Sequence, residues 1–273
     1  MANASADPPP APQDGPPPEP VLCTVPRGRV LLFAPHPDDE VAGPGGTLAL
    51  HRAAGDPVRV VVATDGIAGD PDGRFDAAGY AERRRAESVA GLRELDVDDV
   101  VFWGFPEGGG PSAADAERGA QAAAAELERY RPDVVYLPWQ REGHPDHHAL
   151  HAIVVQALDR TAFAGLALGY EVWNAMVPDR IVDVTSVVER KRRAMQAHES
   201  QLAYVLYDHA LLGLSAYRSL VHLRGRGYGE AFCVVRGAPG RERASQNPPS
   251  TTATSPAAAA AAMPRLSVRM SRR

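Results

Sequence analysis

The feature that most constrains the fold of this chain is a series of short, unbroken apolar runs separated by longer stretches of helical pattern. Such runs, rich in branched side chains, are typical of strands buried on both faces of a parallel sheet. Four of them lie in the first half of the chain: Arg29 to Ala34, Val58 to Ala63, Val100 to Trp103 and Val134 to Leu137. Because parallel strands require crossover connections, we expect the segments between them to be helices.

Those segments have the length and composition of helices. They are predicted at Val41 to Ala54, Tyr80 to Leu95, Ala113 to Arg129 and His147 to Leu158. Strands that alternate with helices indicate an α/β fold, a Rossmann-like and mostly parallel sheet with helices on both faces. Later strands are predicted at Leu168 to Trp173, Arg180 to Val184 and Tyr228 to Val235, and later helices at Ser186 to His198 and Ala203 to Leu220. Ser186 and Glu189 have the spacing of a capping box.

The two ends of the chain differ in composition from the part between them. Residues 1–22 are rich in Pro, Ala and Asp, and residues 237–273 are rich in Pro, Ser, Thr and Ala before a basic end. Segments of this kind bury too little apolar surface to fold, so both are predicted to be disordered. Residues 23–236 are therefore predicted to form a single domain.

Charge and cysteine usage exclude several classes of function. The formal net charge is −5 and the pI is about 6.0, which gives no general attraction to nucleic acid or to an anionic membrane. Cys23 and Cys233 are the only cysteines, too few for a disulfide framework, so a reducing compartment is expected. The chain shows no secretory signal and no apolar run of membrane-spanning length, and a cytoplasmic protein is expected.

Two polar loops follow predicted strands and carry the chemistry. Pro35-His36-Pro37-Asp38-Asp39-Glu40 comes directly after the first strand, and His144-Pro145-Asp146-His147-His148 follows the fourth. Parallel strands end at one edge of the sheet, which is where ligands bind in open α/β folds. The two loops are therefore predicted to meet there, on the two strands that flank the switch point.

Two imidazoles and one carboxylate can hold a divalent cation and leave positions open for water and substrate. Consecutive residues of a tight turn point in different directions. One of Asp38 and Asp39 would therefore bind the metal while the other takes a proton from water. The residues alone do not choose between His147 and His148. The set is complete for metal-assisted hydrolysis.

Three other interpretations of these loops stay open at this point. The residues could be ordinary turn and cap residues, because Asp and Pro are common in turns. Two histidines and a carboxylate also suit an Fe(II) facial-triad oxygenase. A non-enzymatic nucleotide-binding module is the third, since Gly43-Pro44-Gly45-Gly46 follows a strand, but a full glycine fingerprint is missing.

The two loops together resemble the LmbE-like/PIG-L family of zinc-dependent de-N-acetylases. The resemblance runs from about Arg29 to Val235 and includes Gly45-Gly46-Thr47, Thr64-Asp65-Gly66, Lys191 and His198-Glu199-Ser200-Gln201. It implies a hydrolase that removes the acetyl group from an N-acetylglucosamine-type substrate. The substrate would be a small amino-sugar conjugate, with an amide of a thiol or antibiotic pathway as the alternative.

The resemblance also assigns roles to individual residues. His36, Asp39 and His147 would bind Zn²⁺, with Fe²⁺ as a possible occupant in the cell. Asp38 would be the general base and His144 would stabilise the oxyanion or act as an acid. Asp146 would orient a histidine.

Two further residues are predicted to contact substrate. Arg84 matches a family position that binds substrate hydroxyls, and an ion pair with Glu87 is the alternative for it. Glu107 stands where the family usually carries Asp. The sequence does not determine the individual substrate or the oligomeric state.

Overall fold

Eight β-strands form one sheet across the part of the chain that the computed structural model describes, residues 19–237. They are β1 Val21–Cys23, β2 Val30–Ala34, β3 Val58–Thr64, β4 Asp99–Phe105, β5 Val134–Pro138, β6 Leu166–Tyr170, β7 Arg180–Asp183 and β8 Gly229–Arg236. The order across the sheet is β1-β7-β8-β6-β5-β2-β3-β4. Only β8 runs antiparallel to its neighbours, β6 and β7. The predicted mostly parallel α/β sheet is confirmed.

Helices cover both faces of this sheet. They are α1 Asp39–Ala42, α2 Gly45–Ala53, α3 Ala77–Glu94, α4 Ala113–Tyr130, α5 Pro145–Arg160, α6 Val188–Gln196, α7 Glu199–Leu202 and α8 Tyr207–Arg218. Helices α4 and α5 pack on one face, and α1, α2, α3, α6 and α8 contribute to the apolar core on the other. No helix within residues 19–237 is both long and apolar enough to cross a membrane.

The central strand β2 shows why the apolar runs are unbroken. All five of its residues are buried, and they alternate between the two cores. Leu32 and its i±2 neighbours face the core beneath α1 and α2, whereas Leu31 and Phe33 face α4 and α5. A strand with apolar cover on both faces has no position for a polar side chain, so period-two alternation is absent.

The chain reverses direction across the sheet next to β2. From β2 it proceeds outward through β3 and β4, then returns to β5 on the other side of β2. The pairing of β2 with β5 is parallel, with Val30 opposite Val134. The loops that leave these two strands are therefore adjacent at the carboxyl edge, at the switch point of the sheet, as predicted.

The first predicted helix, Val41 to Ala54, is instead two helices separated by Gly43 and Pro44. The second, α2, begins close against other parts of the chain. A Cβ atom at Gly46 would lie 2.7 Å from the Cβ of Val184. The amides of Gly46 and Thr47 donate to the two carboxylate oxygens of Glu230, at 2.8 and 2.7 Å. This helix N-terminus is therefore satisfied by a carboxylate of the chain itself, which removes support for a nucleotide phosphate there.

The predicted capping box at Ser186 and Glu189 is wrong. Helix α6 begins at Val188 without a side-chain cap, and Ser186 lies in a 3₁₀ turn, Thr185–Val187. The hydroxyl of Thr185 accepts a hydrogen bond from the amide of Tyr228 at 2.9 Å. The chain ahead of the helix is thus held by a tertiary contact with the start of β8, which local sequence does not reveal.

The predicted domain limits, 23–236, stay a prediction, and the structure differs from them at the first strand. Val21 and Leu22 belong to β1 and pair with β7, so the predicted arm, 1–22, ends within the sheet. The edge strand was missed because three residues are too few for a periodic pattern. Residues 1–18 and 238–273, which hold the rest of the predicted disordered segments, lie outside the described residues.

Candidate metal centre and active site

The candidate site lies at the carboxyl edge of the sheet, where the loop after β2 meets the start of α5. The amide of Asp39 bonds to the carbonyl of His36 at 3.3 Å, and that of Asp38 to the same carbonyl at 2.9 Å. This tight turn places the carboxylates of Asp38 and Asp39 at the site. Pro145 opens α5 at a position where its missing N–H has no cost, and His147 follows in the first turn.

Three predicted ligand residues converge on one another. The edges of their triangle are 3.0 Å from His36 Nδ1 to Asp39 Oδ2, 3.1 Å from Asp39 Oδ2 to His147 Nε2, and 3.2 Å from His147 Nε2 to His36 Nδ1. All three side chains are buried. Two nitrogens and one carboxylate oxygen therefore share a buried corner of the site.

The spacing and the charge of this triangle fit a zinc ion. Tetrahedral ligands with bonds of ~2.0–2.1 Å lie about 3.3 Å apart, close to the edges observed. Burial alone would lower the pKa of His36, but Asp146 and Asp39 outweigh it and raise the pKa to about 10. Burial likewise opposes the charge of His147, and Asp39 raises its pKa to about 9. The corner is thus electrostatically suited to positive charge.

His36 is held from behind by Asp146. The ring nitrogen remote from the triangle, Nε2, lies 3.2 Å from Asp146 Oδ2. Asp146 also accepts from the amides of Gly108 and Gly110, at 2.8 and 2.9 Å, in the loop after β4. Burial opposes the ionised form, yet His36 and these amides hold the pKa of Asp146 at about 2. Asp146 therefore lies against His36, as the prediction that it orients a histidine requires.

His147 has a corresponding carboxylate behind it, Glu142. Its Nδ1 lies 3.4 Å from Glu142 Oε2, and both side chains are fully buried. Sequence reasoning missed Glu142. The available signal was a carboxylate two positions before His144 on the loop that delivers the motif, but Arg141-Glu142-Gly143 has the composition of a solvated turn.

His144 occupies the open side of the triangle. Its side chain is 33% exposed, its Nδ1 accepts from the amide of Asp146 at 3.2 Å, and its ring packs edge-on against His36 with centroids 4.6 Å apart. A ligand nitrogen of His144 lies within 4.8 Å of those of His36 and His147, so these three also form a group that could hold a metal ion. Burial and its two histidine neighbours lower the pKa of His144.

Asp38 faces an arginine, and no histidine bonds to it. Arg84 Nη2 donates to Asp38 Oδ2 at 3.0 Å, and the Asp38 amide donates to Glu40 at 2.9 Å. Burial raises the pKa of Asp38 to about 6 although Arg84 opposes the shift. A carboxylate that is ionised at neutral pH but only weakly acidic suits proton abstraction.

Arg84 is more enclosed than the sequence suggests. It is 1% exposed and also donates to the carbonyls of Pro37 and Gly66, at 3.0 and 3.1 Å. The alternative ion pair with Glu87 is absent, because Glu87 pairs with Arg83 at 2.9 Å. Arg84 therefore orders the loop that carries Asp38, and its predicted substrate contact stays a prediction.

Glu107 also lies at the site. Its Oε2 accepts from the amide of Gly69 at 3.0 Å, and its Oε1 is 3.5 Å from His36 Nε2. It joins the loop after β4 to the loop after β3. Its predicted contact with substrate stays a prediction as well.

The two other histidines near α5 point elsewhere. His148 is exposed and its Nδ1 lies 3.0 Å from the carbonyl of Gln140. His151 lies 2.8 Å from the carbonyl of Pro138. The structure thus places His147, and neither of these, beside His36 and Asp39.

A cleft of about 260 Å³ opens above the triangle. His36, Asp38, Asp39, Arg84, Glu107 and His144 line its floor, and Trp173, Tyr204 and Tyr207 are among the residues that line its walls. Trp173 is 51% exposed and its ring meets that of Tyr207 edge-on, with centroids 6.2 Å apart. The cleft has the size and mixed polarity of a small-molecule site, not of a site for water alone.

Comparison with known proteins agrees with this site. A family model described as PIG-L, GlcNAc-PI de-N-acetylase, matches residues 31–158, which include both His-Pro-Asp loops. The chain is 31% identical over 229 residues to the 1D-myo-inositol 2-acetamido-2-deoxy-alpha-D-glucopyranoside deacetylase of Mycobacterium sp. (strain KMS), covering 64% of this chain and 74% of that protein. The chain belongs to the PIG-L family of de-N-acetylases. It is therefore a hydrolase that removes acetyl groups from N-acetylglucosamine-type substrates.

Two further similarities extend over most of this deacetylase. It is 28% identical over 233 residues to diacetylchitobiose deacetylase of Thermococcus kodakarensis, covering 77% of this chain and 84% of that protein. The solved structure of N,N'-diacetylchitobiose deacetylase from Pyrococcus horikoshii, in complex with its inhibitor MPG, superposes with a TM-score of 0.66 at 25% identity. That match covers 76% of this chain and 83% of the other, so the common fold extends well beyond the two loops.

Proposed function

We propose that this deacetylase hydrolyses the acetamide of a small N-acetylglucosamine glycoside, with Zn²⁺ held by His36, Asp39 and His147. The observation that carries the proposal is the triangle of ligand atoms, 3.0–3.2 Å on each edge, on the floor of the cleft that Asp38 also lines. A bound Zn²⁺ would lower the pKa of a coordinated water and polarise the carbonyl of the amide.

Asp38 acts as the general base in this proposal. Its carboxylate accepts a proton from the attacking water while Arg84 keeps it oriented, at 3.0 Å. The proton then passes to the leaving nitrogen as the C–N bond breaks, so that the products are acetate and a free amine. The open position of His144 lets its Nε2 face the carbonyl oxygen of a substrate in the cleft and donate a hydrogen bond as charge develops there.

The glycoside class is proposed from the relatives and from the cleft. The similar proteins act on diacetylchitobiose and on an inositol glycoside of N-acetylglucosamine, by their names. The walls of the cleft beyond the triangle carry Trp173 and Tyr207, which offer apolar ring surface to a group attached to the reacting sugar. The predicted cytoplasmic location stays a prediction.

Acetate release tests the proposal. The protein is stripped of metal, given back Zn²⁺ or, without air, Fe²⁺, and assayed on N-acetylglucosamine, diacetylchitobiose and an inositol glycoside of N-acetylglucosamine. We expect metal-dependent release that is faster for the glycosides than for the free sugar. Stoichiometric metal binding without release from any of them would move the substrate to an amide of another class, such as a thiol or antibiotic precursor. Failure to bind metal would overturn the proposal.

A further inference from the structure

Glu142 is a buried carboxylate surrounded by hydrogen-bond donors. Its side chain is 0% exposed. Oε1 accepts from the amide of Val172 at 2.7 Å and from the indole Nε1 of Trp139 at 3.0 Å, and Oε2 accepts from the amide of Trp173 at 3.0 Å. A buried carboxylate without partners would cost several kcal/mol, so this concentration of donors offsets the cost of burying Glu142.

The fourth group that faces this carboxylate is His147. Its Nδ1 lies 3.4 Å from Oε2, on the side of the ring remote from the triangle. With the proton on Nδ1, the N–H lies beside this carboxylate in a contact between charges, not in an aligned hydrogen bond. Nε2 then keeps a lone pair, which faces Asp39 Oδ2 at 3.1 Å. In the other tautomer, a lone pair on Nδ1 would face the carboxylate of Glu142. Nε2 would then carry the proton and could not bind a metal ion.

The same carboxylate fixes a wall of the cleft. Val172 and Trp173 follow β6, and their two amides are the backbone donors to Glu142. The contact between the loops is close, because a Cβ at Gly143 would lie 2.7 Å from Asn174 Oδ1. Trp173 lines the cleft, so its backbone is held by the group that also faces a proposed metal ligand.

We infer that Glu142 is a positioning residue that couples the metal site to the substrate wall: it holds His147 in the tautomer with Nε2 free, and it anchors the backbone of Trp173. The inference rests on the proposed function, because it takes His147 as a metal ligand. Glu142 contacts His147 on the side remote from the three ligand atoms, and it does not line the cleft. Its effect is carried by the imidazole and by the two amides.

Replacing the carboxylate of Glu142 with an amide of the same shape tests this positioning role. A carboxylate accepts at both oxygens, whereas the glutamine of Glu142→Gln must direct an NH₂ group at one set of donors. Of the four facing groups, only His147 Nδ1 is able to give up its proton and accept. Doing so moves the proton to Nε2, the nitrogen that faces Asp39. The substitution therefore favours the tautomer that opposes metal binding.

The control is Glu171→Gln, in the loop after β6 whose amides Glu142 accepts from. Glu171 is also buried, accepts from the amide of Met176 at 2.7 Å and from Arg218 Nε at 2.7 Å, and makes no contact with a histidine of the site. Its replacement disturbs the loop after β6, as Glu142→Gln does, because both carboxylates accept from backbone amides of that loop. It leaves the imidazole of His147 untouched.

The experiment measures zinc affinity by competition with a chelator, with the urea midpoint of each metal-free protein recorded beside it. We expect Glu142→Gln to weaken zinc binding by about 10- to 100-fold. Glu171→Gln should stay within about 3-fold of the parent although it lowers the urea midpoint. If Glu142→Gln does not fold, Glu142→Asp, which withdraws the carboxylate from His147, should also weaken zinc binding.

The outcomes separate this inference from the function it rests on. A parent that does not bind zinc would overturn the proposed function and the inference with it. A parent that binds zinc, with Glu142→Gln bound equally well, would overturn the inference alone. An equal loss in Glu142→Gln and Glu171→Gln would also overturn it, because loop damage would then explain both.

Discussion

Buried histidine–carboxylate pairs stand at both ends of this sheet, and they behave differently. At the carboxyl edge, His36 is backed by Asp146 and His147 by Glu142. Near the amino ends of β2 and β3, His51 Nδ1 lies 2.9 Å from Asp56 Oδ2. The pairs look alike in composition and burial. The difference between them lies in what the second ring nitrogen meets.

In the pair at the amino end the second nitrogen is already used. His51 Nε2 lies 2.9 Å from the hydroxyl of Tyr136, so both nitrogens have side-chain partners. Burial lowers the pKa of His51 despite Asp56, whereas the carboxylates at the other end raise the pKa values of His36 and His147. A buried histidine–carboxylate pair therefore marks a site only where the other nitrogen faces further ligand atoms.

The largest effect, a loss of activity, is expected at Asp38, which pairs with an arginine and not with a histidine. Asp38→Asn should lower kcat by about 10²- to 10⁴-fold, because the proton acceptor for water is lost. The zinc content should equal that of the parent, since Asp38 bonds to Arg84 and lies outside the triangle. Metal analysis and steady-state kinetics on diacetylchitobiose check both parts. Parental activity in this variant would exclude Asp38 as the base.

The next effect compares the two ends of the sheet directly. Asp146→Asn should weaken zinc binding by about 10- to 100-fold, because His36 loses the carboxylate that orients it. Asp56→Asn should leave zinc affinity unchanged and cost about 1–3 kcal/mol of stability, because its bonds from His51 and Arg27 are weakened. Chelator competition and urea denaturation measure the two quantities. Equal zinc affinities in both variants would contradict the distinction between the pairs.

A smaller effect, on KM, is expected at Trp173, whose backbone amide bonds to Glu142. Trp173→Ala should raise KM for diacetylchitobiose by up to about 10-fold with little change in kcat, because it removes ring surface remote from the reacting amide. Tyr217→Ala is the matched control, since Tyr217 is also an exposed aromatic residue but does not line the cleft. The same KM in Trp173→Ala as in the parent would show that the substrate does not reach this wall.

The smallest effect is a pH dependence of stability at the pair formed by His51 and Asp56. Because the folded protein depresses the pKa of His51, its contribution to stability is present above the unfolded pKa of about 6.5 and is lost as the pH falls below it. The urea midpoint of metal-free parent minus that of metal-free His51→Gln should therefore decrease between about pH 7.5 and pH 5.5, because only the parent has this proton to gain. A difference that does not change with pH would contradict this account.

Most of the fold follows from local patterns, and the exceptions have physical reasons. The apolar runs gave seven of the eight strands, because a strand covered on both faces must be apolar throughout. The direction of β8 did not follow, since a buried strand has the same composition whether its neighbours run parallel or antiparallel. Gly43 and Pro44 are residues that interrupt helices, so the break between α1 and α2 could be suspected from the sequence. The close approach of Gly46 to Val184, which also constrains the start of α2, could not.

For the site, the sequence by itself determined which residues reach the carboxyl edge, because strand ends and crossover rules fix that edge. Only the tertiary structure decided which nitrogen of each histidine faces the triangle and which carboxylate backs it. Those contacts join residues about a hundred positions apart, such as His36 and Asp146, and depend on the register of β2 against β5. Glu142 is the clearest example of a contact that only the tertiary structure decides. Its partners Val172 and Trp173 follow a different strand, and no local sequence pattern connects them to it.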